Sequence, residues 1–510
     1  MNKFLLTLVL ILECFTTHGQ IQKYMRSSDG ERYPSILQYP YRAEVSFSPT
    51  ITTGGTVPFW MRSMNYGSIP LEGLSTSVQG KFYRDYDTEE KPLLDWGFGI
   101  DGRVNGGKRV EAILVEGYAK AKLAFLQLKI GRFRAYSGLV DSALSTGSFS
   151  QSGNALGIPQ VQLGIPEYLS VPFLNDILAF KGDAEFGYMG KVPINYGGNG
   201  IFSVKTYNHH LSFYGRLGRP SWRLQLFTSI NHDVVYGGDK LIFGDQYHLS
   251  KIGALYYVFT GKKYLGASDI SKIGNHLGSV DFGIKYRFNA MTASLYHQFF
   301  YDKGALGYLA NVKDGLTGIA LSNNDTDRQT VNFKKVLFEF FYSNDQAGQN
   351  NAKFTPSGPE YYYNHAVYFE GFSYKGLGLG NSLISPASYA RLGQISSPMN
   401  YFISNRVIGF HLAASLELSS FNINFKSTFS RNFGDYRTSG PDEQWFNGVR
   451  VKTNIDPLKK FKPVTQFSSF LQVFKRIPNT NYLIGSELAV DQGHFLNNSL
   501  GFSLIISKRL

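Results

Sequence analysis

The feature that most constrains this chain is a period of two, recurring in segments of about ten residues along nearly its whole length. Leu178, Phe180, Gly182, Ala184, Phe186 and Tyr188 alternate with Ala179, Lys181, Asp183, Glu185 and Gly187. An extended strand puts the first set on one face and the charges on the other, whereas a helix would mix them. Val280, Phe282, Ile284, Tyr286 and Phe288 repeat the pattern against Asp281, Lys285, Arg287 and Asn289. So do Trp222, Leu224, Leu226 and Ile230 against Arg223, Gln225, Ser229 and Asn231, and Phe421, Ile423, Phe425 and Phe429 against Asn422, Asn424, Lys426 and Ser430. Such segments have the length of a tilted strand that crosses a bilayer.

Further segments lie near 74–82, 94–104, 109–117, 123–132, 208–217, 250–260, 292–301, 334–343, 365–373, 407–418, 466–475 and 482–490, with weaker ones near 43–48 and 201–205 and a last one at 500–508. A tally of about 18 predicts an all-β fold, one transmembrane antiparallel outer-membrane β-barrel, since closed barrels favour even counts. A soluble sandwich or propeller also alternates. Three features favour the barrel: export, aromatic residues crowding the strand ends, and a C-terminus that is itself a strand. Aromatic residues make up 15% of the chain and charged ones only 17%, below the roughly 25% usual for soluble proteins. Beyond the first twenty residues no apolar run reaches the roughly 18 residues that a membrane helix needs.

Export is read from the N-terminus. Lys3, the apolar run Phe4 to Leu12 and the exit Thr17-His18-Gly19 form a secretory signal peptide over 1–19. That leaves 20–42 as an N-terminal periplasmic segment and 43–510 as the barrel of a Gram-negative outer membrane. Cys14, the single cysteine, is discarded with the signal, so the mature chain forms no disulfide. The last strand, Ser499 to Ile506, resembles the insertion signal of outer-membrane barrels, which makes the barrel insertion machinery an expected partner. It departs from that signal by ending in Lys508-Arg509-Leu510 rather than an aromatic residue.

With a periplasmic C-terminus, the short connections 476–481, 419–420 and 289–291 fall inside and the long ones 432–465, 374–406, 302–333 and 261–279 fall outside. The long segments 344–364 and 232–249 disobey by counting as periplasmic, which points to a missed strand there; Asn105-Gly106, between two good strands, is a hairpin turn signal that also counts as periplasmic. The stretch 133–177, with Pro159, Pro166 and Pro172, breaks all periodicity. It is either a luminal plug or a periplasmic cover.

Motifs for chemistry are weak. Gly102 to Lys108 has P-loop spacing, but Arg109 stands where Ser or Thr is required and a strand follows. Gly376 to Gly380 lacks the third spacing of a dinucleotide fingerprint. His209 and His210 point to opposite faces of a strand. Asp183 and Glu185 share a face, as an acid/base pair or as a luminal charge ladder beside Lys181. A Ser/His hydrolase would need residues that only folding brings together. No enzyme activity, cofactor or metal is expected.

The outer loops carry a different signal. Loop 432–465 holds Tyr436, Arg437, Asp442, Glu443, Trp445, Asn447, Arg450 and Lys452, and loop 374–406 holds Tyr389, Arg391, Tyr401 and Arg406. Rings beside cations and amides suit sugars, whose apolar faces lie on rings while hydroxyl and carboxylate groups take hydrogen bonds. Tyr436, Arg437, Trp445, Asn447, Arg450, Tyr389 and Arg391 are therefore the candidate polysaccharide-binding set. The same loops could instead settle on outer-membrane lipids and lipopolysaccharide. The formal charge of +13 suits an acidic polysaccharide, lipid phosphates or an anion-selective lumen, and nucleic acid is a poor partner at this location.

Thr53-Gly54-Gly55-Thr56-Val57-Pro58-Phe59-Trp60-Met61-Arg62, Gly67-Ser68-Ile69-Pro70, Glu116 to Lys122, Gly147-Ser148-Phe149 and Ser152 to Pro159 together resemble the capsule assembly Wzi family, from about Ala43 to the C-terminus. The resemblance implies an outer-membrane β-barrel acting as a surface lectin that attaches exported capsular polysaccharide to the cell without making or cleaving it. It also implies a periplasmic-side helical cover, for which 133–177 is the candidate. No ligand residue carries over by position. Gly54-Gly55 and Pro58 suit a tight turn, and Trp60 an interfacial anchor. The alternative function is an outer-membrane channel or transporter for sugars or lipids.

Overall fold

The structure is a computed structural model that describes residues 40–90, 92–195, 200–244, 247–264, 272–302, 304–324, 331–347, 359–395, 397, 400–440, 443–446, 449–452 and 460–510. The signal peptide, most of the segment that follows it, Asp442 and Asn447 lie outside the described residues.

Among the described residues, eighteen strands close one antiparallel sheet. They are β1 (Tyr41–Thr52), β2 (Ser75–Arg84), β3 (Leu94–Gly106), β4 (Glu111–Leu123), β5 (Leu126–Arg132), β6 (Pro159–Ser170), β7 (Leu178–Pro193), β8 (Ser203–Leu217) and β9 (Leu224–Tyr236). The second half is β10 (Asn275–Arg287), β11 (Met291–Tyr301), β12 (Gly315–Asn323), β13 (Val331–Tyr342), β14 (Val407–Leu418), β15 (Phe421–Asn432), β16 (Val464–Arg476), β17 (Tyr482–Gly493) and β18 (Ser499–Arg509). Each strand pairs with its neighbours in sequence, and β1 closes the ring on β18 with Glu44 opposite Arg509.

The period of two sets the two faces of the wall. Phe47, Ile100, Phe213, Phe282, Ile319, Phe410, Leu488 and Phe502 are exposed on the outside, while Asp101, Glu185, Asn231, Asp281, Gln298 and Glu339 are buried on the inside. An exposed apolar belt of this extent needs lipid around it. Aromatic rows bound the belt. Tyr188, Tyr207 and Tyr236 sit across neighbouring strands with ring centroids 5.6 and 5.7 Å apart. Tyr41, Phe82, Phe98 and Trp96 form the opposite row, with Phe82 and Phe98 at 5.3 Å. The chain is a Gram-negative outer-membrane β-barrel.

Connections such as 124–125, 288–290, 419–420 and 477–481 are short, and all lie on the side of Tyr41 and Arg509. Those at 53–74, 133–158, 237–274, 302–314, 343–406 and 433–463 lie on the other side, which is the outer face by its long loops. Of the two segments that broke the rule in sequence, the described residues 344–347, 359–364, 237–244 and 247–249 belong to outer connections, while 232–236 are the end of β9. The turn at 107–110 also lies outside, because Asn105 and Gly106 are strand residues of β3.

The count of about 18 survives through compensating errors. Segment 250–260 is a helix, 365–373 is no strand, and 201–205 merges into β8, whereas β6 and β12 went unread. In β12 both faces are apolar: Leu316 and Ala320 point inward at a packed core and Ile319 points outward, so no alternation survives. In β6, Pro166 sits at a register shift between Ile165 and Leu169, where the ladder is broken and a proline is tolerated.

Candidate functional site

Three outer connections fold back into the barrel and fill its upper lumen. The first contains α1 (Phe59–Arg62), all of it buried. Trp60 is 2% exposed, its indole N–H donates to Thr428 Oγ1 at 3.0 Å, and its ring packs 5.0 Å from His411. It is thus a luminal residue and not the interfacial anchor expected of it. The second connection, 133–158, has no helix and crosses the lumen. The periplasmic helical cover expected for this stretch is replaced by a plug entering from the outer side, followed by strand β6. The third, 359–405, lies against the plug: Tyr363 Oη donates to the carbonyl of Phe149 at 2.5 Å, and Ser382 Oγ to that of Thr146 at 2.7 Å.

A plug without regular structure leaves backbone N–H groups that a lumen must satisfy. Wall side chains do so. Leu139 N–H donates to Asp281 Oδ2 at 2.9 Å, Thr146 N–H to Glu339 Oε2 at 2.8 Å and Phe149 N–H to Gln298 Oε1 at 3.1 Å. Gly138 N–H donates to Tyr214 Oη at 2.9 Å, and His411 donates to the carbonyl of Leu144 at 2.8 Å. Gln151 Nε2 reaches Glu185 at 3.1 Å. Between these bonds Phe149 packs on Phe300 at 4.2 Å and on Tyr362 and Tyr363 at 5.1 and 5.0 Å, an apolar core inside the barrel.

Beneath this tier of acids lies a tier of cations. Lys181, Lys285 and Lys335 each stand four residues toward the periplasmic end from Glu185, Asp281 and Glu339 on the same strand. Four is even, so both members of each pair face the lumen, separated by about 14 Å at 3.4 Å per residue. These lysines are partly or fully exposed, unlike the buried carboxylates above them. Lys181 Nζ sits 4.6 Å from the Tyr214 ring centroid, Lys285 Nζ 4.8 Å from that of Phe227, and Lys129 Nζ 4.0 Å from that of Tyr118. Lys335 Nζ reaches up to Asp141 of the plug at 2.6 Å. Where the tiers meet, a cavity of about 140 Å³ is lined by Lys129, Arg134, Gln151, Asp183, Glu185 and His210.

Asp183 and Glu185 share this lumen as luminal acids, with Ser212 Oγ donating to Asp183 at 2.6 Å and Gln162 Nε2 to Glu185 at 2.7 Å. His210 faces inward to Asp233 at 3.0 Å, while His209 faces outward beside Phe186, as the strand period requires. Ser150 Oγ also donates to Asp233. The carboxylate therefore stands between hydroxyl and imidazole, so the imidazole is not placed to take the serine proton, which an acyl hydrolase needs. Among the described residues no group of three or more His, Cys, Asp and Glu could hold a metal.

The loop residues of the saccharide reading fall in separate places. Tyr436 is 1% exposed, opening α4 (Tyr436–Ser439), with its hydroxyl donating to the carbonyl of Asp345 at 2.5 Å and Arg406 over its ring at 4.3 Å. Arg437 donates to Asn400 at 2.8 Å. Tyr389 lies under Arg62 at 4.3 Å, and Arg391 donates to Asn498 at 2.9 Å. Trp445 and Arg450 are register partners in the hairpin Glu443–Phe446 and Val449–Lys452, and Arg450 pairs with Glu443 at 3.5 Å. The plug-holding residues Asp281, Gln298 and Glu339 were not read from the sequence, although the acid-and-lysine spacing of four on one strand face was there to be found.

No family model matches the chain and no curated protein matches it, so the capsule-assembly resemblance rests on the motif residues alone. Among solved structures, OccAB2 of Acinetobacter baumannii is 11% identical, covers 92% of this chain and 98% of its own, and has a TM-score of 0.43. OccK9 (OpdG) of Pseudomonas aeruginosa shares the same four values, and the outer membrane protein OprD from that organism is 9% identical over 92% and 94% with a TM-score of 0.42. At that distance the likeness adds nothing to the barrel read from the strands.

Proposed function

We propose that this chain is an outer-membrane channel for anionic solutes, closed at rest by its own loops. The observation that supports it is the tier of lysines, half-buried at Lys181 and Lys335 and exposed at Lys285, that faces the periplasmic half of the lumen directly below the plug. A low-dielectric wall focuses the field of such a ring and concentrates anions at the plug. An arriving carboxylate or phosphate competes with Asp141 for Lys335, one of the charged ties between plug and wall. The rings beside Lys129, Lys181 and Lys285 would suit the apolar faces of an acidic sugar. In planar bilayers the expected record is brief, anion-selective openings. Replacing 134–157 by a short Gly/Ser linker converts them into lasting ones. A parent that stays silent with every anion and voltage, while the linker variant conducts, overturns the channel.

A second reading, the attachment of capsular polysaccharide to the cell surface, is favoured by the apolar core that joins plug to outer loops. Phe149, Tyr362, Tyr363, Phe372 and Phe402 are each fully buried, which packs plug and third connection into one unit from which an outer-loop hairpin bearing Arg450 could meet a polymer. Many weak contacts along a polymer would hold by avidity. Trp445→Ala with Arg450→Ala is expected to move polymer from cells to medium while barrel insertion stays intact. No extra shedding removes those loops from the account.

A further inference from the structure

Residues 251–260, Lys-Ile-Gly-Ala-Leu-Tyr-Tyr-Val-Phe-Thr, form α3, which follows the short α2 (Asp239–Phe243) in the loop between β9 and β10. Ser250 caps α3 by accepting from Gly253 N–H at 3.1 Å, and Gly261 ends it at φ 59°. Apart from its two ends the helix has no polar face, and such a helix needs cover on every side.

One side is covered by the barrel itself. Val258 is fully buried with Val234 and Ile273, and the Phe259 ring lies 4.3 Å from His209 and 5.5 Å from Phe186. Phe186, His209 and Val234 are register partners on the outward face of β7, β8 and β9. They stand one pleat repeat, about 7 Å, on the periplasmic side of the row Tyr188, Tyr207 and Tyr236. The loop therefore folds down over the lipid-facing wall, and α3 lies within the outer leaflet.

Among the described residues nothing packs on the other side. Ile252 and Tyr256, one turn apart, are 81% and 50% exposed, and Phe259 at their edge, one part of its ring packed on the wall, keeps 42%. This surface continues the exposed wall of Leu211 and Phe213. On the outer side of the tyrosine row, exposed Lys191 stands directly opposite exposed Lys205, an arrangement that destabilises a sheet unless an anion joins the pair. Lys251, Lys262 and Lys263 are exposed at the two ends of α3. A pocket of about 490 Å³ lined by Lys240, Tyr247 and His248 adjoins its start.

We propose that this face is a binding site for a phosphorylated glycolipid of the outer leaflet, with acyl chains along Ile252, Tyr256 and Phe259 and phosphate between Lys191, Lys205 and the loop lysines. Continuity with the apolar belt fixes the occupant as lipid, and the cations at headgroup height select an anionic one. The site is independent of whether the lumen conducts.

The test uses the full chain refolded in mild detergent and titrated with bisphosphorylated lipid A or its dephosphorylated form, read by native mass spectrometry. Retention of the phosphorylated form is expected, weakened at least about tenfold by Lys191→Glu with Lys205→Glu, at roughly 1 kcal/mol per cation near a charged surface. If that variant fails to insert, Lys191→Gln with Lys205→Gln is read instead. Ile252→Ser with Phe259→Ser is expected to weaken both lipid forms alike. Equal binding of the two forms by the parent, or parental affinity in the lysine variants, overturns the site. Cross-linking of two chains through Ile252→Cys in lipid vesicles would make the face an interface between copies and would also overturn it.

Discussion

The upper and lower halves of the lumen are lined by the same strands with the same period, yet they differ in almost everything else. Above, the inward residues are carboxylates and amides, buried and spent on the plug: Asp281, Gln298 and Glu339 each hold a backbone N–H. Below, on the same strands and the same face, Lys181, Lys285 and Lys335 remain in contact with solvent. A buried acceptor is kept because irregular backbone must be satisfied. Of these cations only Lys335 is tied to the plug, through Asp141 at 2.6 Å, while Lys181 and Lys285 rest against the rings of Tyr214 and Phe227. The difference separates the part of the lumen closed by buried hydrogen bonds from the part where charge still reaches water.

The comparison breaks most forcefully at Glu339. Its carboxylate accepts from Ser145 Oγ at 2.5 Å, from Thr146 N–H and Oγ1 at 2.8 and 3.0 Å, and from Tyr296 Oη at 2.5 Å. Glu339→Ala leaves these buried donors without an acceptor, at about 1–3 kcal/mol for each that finds no replacement. Amide exchange over 140–150 is expected to lose its protection while the barrel still resists heat in detergent. An undisturbed plug would mean that its apolar core, not the acid tier, holds it.

Charge reversal of the lower tier, Lys181→Glu with Lys285→Glu and Lys335→Glu, is expected to leave the barrel folded and to shift the linker variant's reversal potential from anion to cation selectivity. An unchanged potential would place the selecting charge elsewhere. A smaller effect is expected at Gly138, where φ is +83° and an added Cβ would run into Gln298 Nε2 and meet Asp281 Oδ2 at 2.7 Å. Gly138→Ala should cost about 1–3 kcal/mol of local strain and raise exchange at Leu139 before it does so at Phe149. Equal change at both would mean that the plug moves as one piece.

The wall was legible in the sequence because lipid outside and polar lumen inside impose opposite demands on alternate residues. It became illegible wherever both sides are apolar. In β12, Leu316 and Ala320 meet the plug core, and α3, misread as a strand, is sandwiched between the wall and the leaflet. The plug has no period because wall side chains replace its ladder. The motifs Gly147-Ser148-Phe149 and Ser152 to Pro159 lie in it or at its junction with β6, Phe59 to Arg62 lies buried in the first luminal connection, and their sequence is explained by packing. Tyr436 read as a sugar platform because ring and cation adjoin in the chain, but its ring lies under Arg406 and its hydroxyl is taken by a backbone carbonyl. Adjacency could not reveal which way either group turns.

The smallest expected effect lies above both halves, in the outer loops. Asp314 precedes β12 and accepts from Asp345 N–H, Gln346 N–H and Tyr362 Oη at 2.9, 2.7 and 2.7 Å. Burial is the largest influence on it and pushes its carboxyl up to about 7, outweighing those hydrogen bonds. A carboxyl raised in the folded state binds its proton more tightly there than in the unlocked loop. Its contribution is therefore fully present below the ordinary 3.8 and is lost as pH rises through about 7. Exchange at 345–347 and 359–364, corrected for the intrinsic pH dependence, is expected to accelerate across that window in the parent and to stay level in Asp314→Asn. A parent that stays level would mean that the outer loops are held by packing and not by the protonation of Asp314.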